Sequence, residues 1–205
     1  MWEQIIPFLI ASILLTLSPG ADIIYVLSQS LIGGYKKGMI IALGLVTGII
    51  IHTTLVALGV SLIIKNSEIL FWSIKIAGAL YLLYLAYKVY SSPNPSFKQS
   101  KSSNPAKSFM TDFKTGFIMN ILNPKVTIFF LAFFPGFLWD TDKDVVMQFY
   151  ILGGVFMLQA FVVFALVALL SDKLSKILFK TSKSYSFLKW FQIFILVTIS
   201  VLILL

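Results

Sequence analysis

The sequence predicts an all-α integral membrane protein, six transmembrane helices in two three-helix halves. Three observations carry that prediction. Apolar residues make up 59% of the 205 residues and charged residues only 12%. The apolar residues gather in runs of about 20 or more, each long enough for a hydrocarbon core of roughly 30 Å. None of these runs alternates as a lipid-facing barrel strand would, and a lone span satisfies its own backbone in lipid only as a helix. Finally, one polar segment, SSPNPSFKQSKSSNPAKSFMTD, divides the runs three and three.

Span one is expected over residues 5–32. It follows Met-Trp-Glu-Gln, which lacks the basic stretch of a cleavable leader, so it should remain as a span. As a straight helix it would be about 42 Å long, so tilt or a break must absorb the surplus. Pro19 supplies the break. It has no N–H for the carbonyl of Leu15 and pushes Ser18 away from helical angles, and Gly20 then permits unusual backbone conformations. Asp22 falls in the first turn of the second half-helix, near its positive end. Span two, 38–64, carries Gly44 and Gly48 in the spacing of close helix packing and His52, the single histidine, near its middle. Span three, 69–90, places Lys75 nearer its outer end, where the ammonium can reach the interface.

The polar segment is rich in Ser, Pro, Asn and Lys and should be a linker. The expected units are therefore 1–90, a cytoplasmic linker 91–113, and 114–205. Span four, 116–138, holds Asn123-Pro124-Lys125. Pro124 frees the carbonyl of Asn120 and restricts Asn123, and Lys125 follows at once. Span five, 145–170, contains a second small pair, Gly153 and Gly154, expected to pack helices, and Gln159 as an interhelical hydrogen-bonding group. Span six is expected over 187–205. Halves with three spans each, if related, must insert in opposite senses, as in inverted-repeat carriers; SPG in span one and NPK in span four support that relation.

The net charge of +8 comes from sixteen lysines. Lys36, Lys37, Lys88, Lys98, Lys101, Lys107, Lys114, Lys173, Lys176, Lys180, Lys183 and Lys189 fall on one side of the six-span plan, and only Lys65 and Lys143 on the other. The bias puts both termini outside and residues 91–113 in the cytoplasm. It suits anionic lipid headgroups and does not point to nucleic acid. Cysteine is absent, which removes disulfide and thiolate chemistry. One histidine and few carboxylates leave a metal site without ligands, and no Gly-x-x-x-x-Gly-Lys-Ser/Thr motif is present for ATP. No enzyme and no cofactor are expected.

The costly residues are Asp22 and Lys125, which arrive at similar depth on the first spans of the two halves. Each alone costs roughly 2.5–3.5 kcal/mol on insertion scales. A structural ion pair between them is one reading. The other is a transport site, since broken helices whose ends meet a polar ligand mark carrier sites. On that reading Ser18, Pro19, Gly20, Asp22, Asn123, Pro124 and Lys125 line the path. Asp22 meets an ammonium with help from the Leu15 carbonyl, and Lys125, Asn123 and free N–H groups meet a carboxylate. Asp22 couples protons, with His52 as a second candidate. His52 can equally be a packed, hydrogen-bonded core histidine.

Three stretches together resemble the LysE/RhtB-type amino-acid exporters. They are LSPGADIIYVLSQSLIGGYKKGMIIALGLVTG, KIAGALYLLYLAYKVY and FKTGFIMNILNPKVTIFFLAFFPGF, in the order and spacing of that family's motifs. The resemblance implies a bacterial inner-membrane carrier that exports amino acids or close derivatives, driven by the proton motive force, with the Pro19 and Pro124 regions meeting around the substrate. One departure is Ala21, where the family commonly has a second proline, which implies a gentler break. The alternative function is an uncoupled channel or facilitator for small polar solutes, which would still leak after the proton gradient is collapsed. The glycine faces could also pair two copies as a homodimer.

Overall fold

A computed structural model describes residues 2–60, 67–91, 109–171, 173–174 and 182–204, with side chains for all of these except 60 and 182–185. Among them there is no strand. The chain begins with α1 (Trp2–Leu17) and α2 (Ala21–Gly33), which meet at 56°. Helix α3 (Tyr35–Leu55) runs on into a π turn, Val56–Val60, and α4 covers Glu68–Ser91. Helix α5 (Phe109–Ile121) is followed by α6 (Pro124–Ile128), which continues through a π turn at Phe129–Phe133 and a 3-10 turn at Phe134–Phe137. That pair bends by 48°. Helices α7 (Val145–Leu169) and α8 (Ser182–Leu204) complete the described chain. Four helices are individually long and apolar enough to span, and the two bent pairs bring the number to six if each is one span.

Both breaks fall where proline removes a backbone donor. Helix α1 stops at Leu17, and α2 resumes at Ala21, so Ala21 starts a helix and is not part of the unwound stretch. Gly20 has φ −156° and ψ −179°, extended backbone open to any residue; its expected conformational role is replaced by one of space, described below. At the second break Asn123 is the N-cap of α6 and Pro124 its first residue, a position where a missing N–H costs nothing. Two boundaries differ from expectation. Helix α4 includes Ser91, and α5 starts at Phe109, so both ends of the expected 91–113 linker are helical. The remainder, 92–108, lies outside the described residues, as do Lys65, Lys98, Lys101, Lys107, Lys176 and Lys180.

The halves share one core. Helix α3 of the first half packs on α5 and α7 of the second, α4 packs on α8 and on the Phe129–Phe133 turn, and α1 packs on α7. Glycine sets the closest crossing. A Cβ on Gly44 would strike the Phe113 carbonyl, and one on Gly116 would strike the Ile41 carbonyl, so α3 and α5 touch backbone to backbone. A turn further on, Gly48 lies against the Asn120 side chain. Gly153 meets Thr53, but Gly154 is exposed with nothing within 4 Å, so the expected small pair packs through one member. The faces of Gly44, Gly48 and Gly153 are thus consumed within the chain.

Phe8, Phe129, Phe130, Phe134 and Phe149 are fully buried side chains. Their rings, with Phe156, form a continuous cluster, with Phe130 and Phe134 centroids 4.4 Å apart and Phe129 and Phe156 5.5 Å apart. The cluster fixes the irregular second part of span four against α1 and α7. Outside, large apolar side chains face outward, among them Ile69 at 82% and Leu158 at 70% exposure. An apolar coat of this extent suits lipid and not water.

Candidate functional site

The site forms where the two breaks meet. Pro19 leaves the Leu15 carbonyl without its helical donor, and the break leaves Ser18 O without one as well. Both carbonyls accept from Lys125 Nζ, at 3.0 and 3.1 Å. The ammonium from the second break thus caps the end of α1. The second break is treated in the same manner. Pro124 frees the Asn120 carbonyl, which accepts from Asn123 N at 3.0 Å and lies 3.2 Å from His52 Nε2. A carbonyl only accepts, so Nε2 carries the hydrogen in that bond. The imidazole also lies against Phe130, with centroids 5.6 Å apart. Each break is closed by a side chain from the opposite half.

Asn123 links the two. Its Oδ1 accepts from Lys125 N at 3.0 Å, the helix-capping bond, and this leaves Nδ2 to donate to Asp22 Oδ2 at 2.8 Å. Asp22 is buried, and its second oxygen, Oδ1, has no partner. Asp22 and Lys125 attract one another electrostatically, but their bonds run to Asn123 and to the α1 carbonyls instead of to each other. A plain ion pair is therefore not what the break contains. Helix α2 starts without a side-chain cap, so its first N–H groups are available to another acceptor. Gly20 sits beside the ammonium; a Cβ there would stand 3.1 Å from Lys125 Nζ.

These groups border a cavity. Its polar lining is Thr16, Asp22, Asn120 and Lys125, and its apolar lining includes Ile23, Ile49, Phe156 and Phe164. It has about 20 Å³ of room for water centres, enough for a water molecule and too little for an organic solute. Behind the lining, Gln159 Nε2 donates to Thr16 Oγ1 at 3.0 Å, joining α7 to α1, and Thr16 Oγ1 donates to Ser12 O at 2.8 Å. Gln159 Oε1, Asn120 Oδ1 and Ser18 Oγ are further buried oxygens without partners.

Of the residues expected at the site, Ser18, Gly20, Asp22, Asn123 and Lys125 are together, with Pro19 and Pro124 creating the openings. His52 stands behind the second break, on the Asn120 carbonyl. Lys75 is apart from the site, 4.5 Å from the Trp72 ring centroid, a cation–π contact near the helix end. Thr16 and the Asn120 side chain are lining groups without a signal of their own in the sequence, which marks only the Asn120 carbonyl, freed by Pro124. The apolar wall from α3 and α7 gave no local signal.

Comparison with known proteins places this architecture. The model of the LysE type translocators matches residues 13–204. The chain belongs to that family. This translocator is 30% identical over 197 residues to the uncharacterized membrane protein YrhP of Bacillus subtilis, covering 93% of this chain and 91% of the relative. It is 31% identical over 154 residues to the leucine efflux proteins of Salmonella choleraesuis and Salmonella paratyphi A, covering 75% of this chain and 72% of each relative. No solved structure gives a significant match.

Proposed function

We propose that this translocator exports amino acids with apolar side chains, leucine among them, from the bacterial cytoplasm by proton-coupled antiport with alternating access. The observation that carries the reading is Asp22 Oδ1, a buried carboxylate oxygen without a partner, on an apolar-walled cavity where two broken helices meet. A substrate ammonium supplies what that oxygen lacks. The substrate carboxylate meets the uncapped start of α2, where backbone N–H groups and the helix dipole favour an anion. The apolar side chain rests on Ile23, Ile49, Phe156 and Phe164. The family membership and the names of the Salmonella relatives support the substrate class.

Transport follows from competition at Asp22 between a proton and the substrate's ammonium. The cavity opens to the cytoplasm, Asp22 gives up its proton there and takes the amino acid, and rocking of one half against the other exposes the site outward. A proton arriving from outside then displaces the ammonium. The lysine bias supports termini outside and residues 91–113 in the cytoplasm of an inner-membrane carrier.

Proteoliposomes loaded with labelled leucine test the reading. Wild type is expected to drive leucine against its gradient when a proton gradient is imposed and to stop when it is collapsed. Asp22→Asn, nearly isosteric, is expected to lose uphill movement while inserting normally. Uphill export by the Asn variant at the wild-type rate would exclude the coupling role of Asp22. Leucine flux that continues downhill, unaffected by the proton gradient, would favour an uncoupled facilitator.

A further inference from the structure

We propose that the Leu15 and Ser18 carbonyls, with Asp22 beside them, form a binding site for a primary ammonium, and that Lys125 fills it in the empty carrier as a tethered stand-in for the substrate's own amino group. This rests on the transport reading above and refines the ammonium end of the same site.

The acceptor set is made by the backbone. Leu15 O lost its donor to Pro19, and the break takes the donor of Ser18 O, since the first bond of the α2 ladder is Ile24 N to Gly20 O. Two carbonyls converge on one nitrogen, at 3.0 and 3.1 Å. A lysine ammonium is a compact point charge with three rotatable donors, and an amino acid's α-ammonium presents the same head. The two compete for the same oxygens. Gly20 fits this use, because a methyl group there would stand 3.1 Å from Nζ and push the ammonium aside by a few tenths of an ångström. What a glycine provides at this point is room for an ammonium head, since its own backbone is extended.

The exchange solves a hydrogen-bonding problem of the empty carrier. Buried carbonyls left without donors are costly, and the proton that Asp22 carries on the empty return does nothing for the Leu15 and Ser18 carbonyls. Lys125 supplies their donor while no substrate is bound. When an amino acid enters, its ammonium takes the carbonyls and the field of Asp22, and Lys125 withdraws from the break. The lysine is therefore required for the site to close and reorient empty, and is dispensable while one substrate replaces another.

The test separates those two processes in proteoliposomes. For Lys125→Ala, net leucine efflux into leucine-free buffer is expected to fall about tenfold, with about a third or more of leucine-for-leucine exchange retained. Added ethylammonium is expected to raise the thermal midpoint of the purified variant and partly restore its net efflux, with no such effect on wild type. Lys125→Met, which keeps the stem and drops the ammonium, repeats the exchange-to-efflux comparison if the alanine variant does not survive purification. Equal loss of both activities would overturn the proposal in favour of a structural strut or a carboxylate ligand, and wild-type net efflux would overturn it as well. If wild type moves no leucine at all, the transport reading fails. The ammonium site then stands or falls on whether ethylammonium stabilises Lys125→Ala.

Discussion

Replacing Gly44 by alanine tests the backbone-to-backbone crossing of α3 and α5. The new Cβ would strike the Phe113 carbonyl and stand 2.9 Å from Phe117 N, both backbone atoms that no rotamer change can move. Restoring ordinary contact requires α3 and α5 to part by about an ångström, and a gap of that size forfeits a quarter to a half of the dispersion attraction along the seam. Overpacking of this kind costs about 1–3 kcal/mol. For a chain of this length each kcal/mol moves a thermal midpoint by roughly 2–4 °C, so the expected fall is about 2–12 °C. The same parting draws Gly48 from Asn120 and His52 from the Asn120 carbonyl, so transport should fall as well. The assay is thermal unfolding in detergent, with Gly154→Ala as the control, since its Cβ meets nothing within 4 Å. Gly116→Ala should match Gly44→Ala, and the double variant should cost less than their sum, because both act at one crossing. A Gly44→Ala protein as stable as the Gly154→Ala protein would refute the backbone-to-backbone crossing.

Three further outcomes are expected elsewhere. His52→Ala leaves the Asn120 carbonyl with one donor and should lower stability by about 1–2 kcal/mol, read as a lower melting midpoint; His52→Gln, able to donate from the same helix face, should recover part of it. Gln148 accepts from Trp139 N and Asp140 N and donates to the carbonyls of Asp140 and Lys143, so Gln148→Leu should abolish hydrogen-exchange protection at Trp139 and Asp140 while leaving α3 unchanged. In the same loop, backbone donors from Asp142 and Lys143 hold the Asp140 carboxyl below its usual range. A depressed value in the folded state means that the turn is supported above the usual carboxylate range and loosens as pH falls through the folded value; protection of the Asp142 and Lys143 amides relative to their intrinsic exchange rates should fall there, and Asp140→Asn should remove that pH dependence.

The apolar helices and both breaks were legible in the sequence because their causes are local. A missing N–H at Pro19 or Pro124 acts on a carbonyl four residues away, and an apolar run long enough to cross a bilayer announces itself. What each freed carbonyl bonds to was not legible, because that depends on how helices cross. The sequence places Lys125 beside Asp22 or a substrate carboxylate, and its bonds to the Leu15 and Ser18 carbonyls follow only from the crossing. The sequence leaves His52 open between a proton relay and a packed histidine, and the ring lies on the Asn120 carbonyl against Phe130. Gly20 signals backbone freedom in the sequence, whereas in the fold it is the absent side chain that leaves room for the ammonium. The start of α5 was hidden by the Ser- and Lys-rich stretch before it. That same stretch concealed Asp112, buried in the first turn of α5. The four bonds of Gln148 have no sequence signal, because they depend on how the folded loop closes over the start of α7.

The reciprocal closing of the breaks has a consequence for synthesis. Lys125 follows Leu15 by 110 residues and Asn120 follows His52 by 68. At roughly 5–20 residues per second, Leu15 is synthesised about 6–22 s before the ammonium that closes its break exists. Through that interval the break's two open carbonyls must be served by water or by the insertion machinery, and the first span can reach its final seating only once the fourth has arrived.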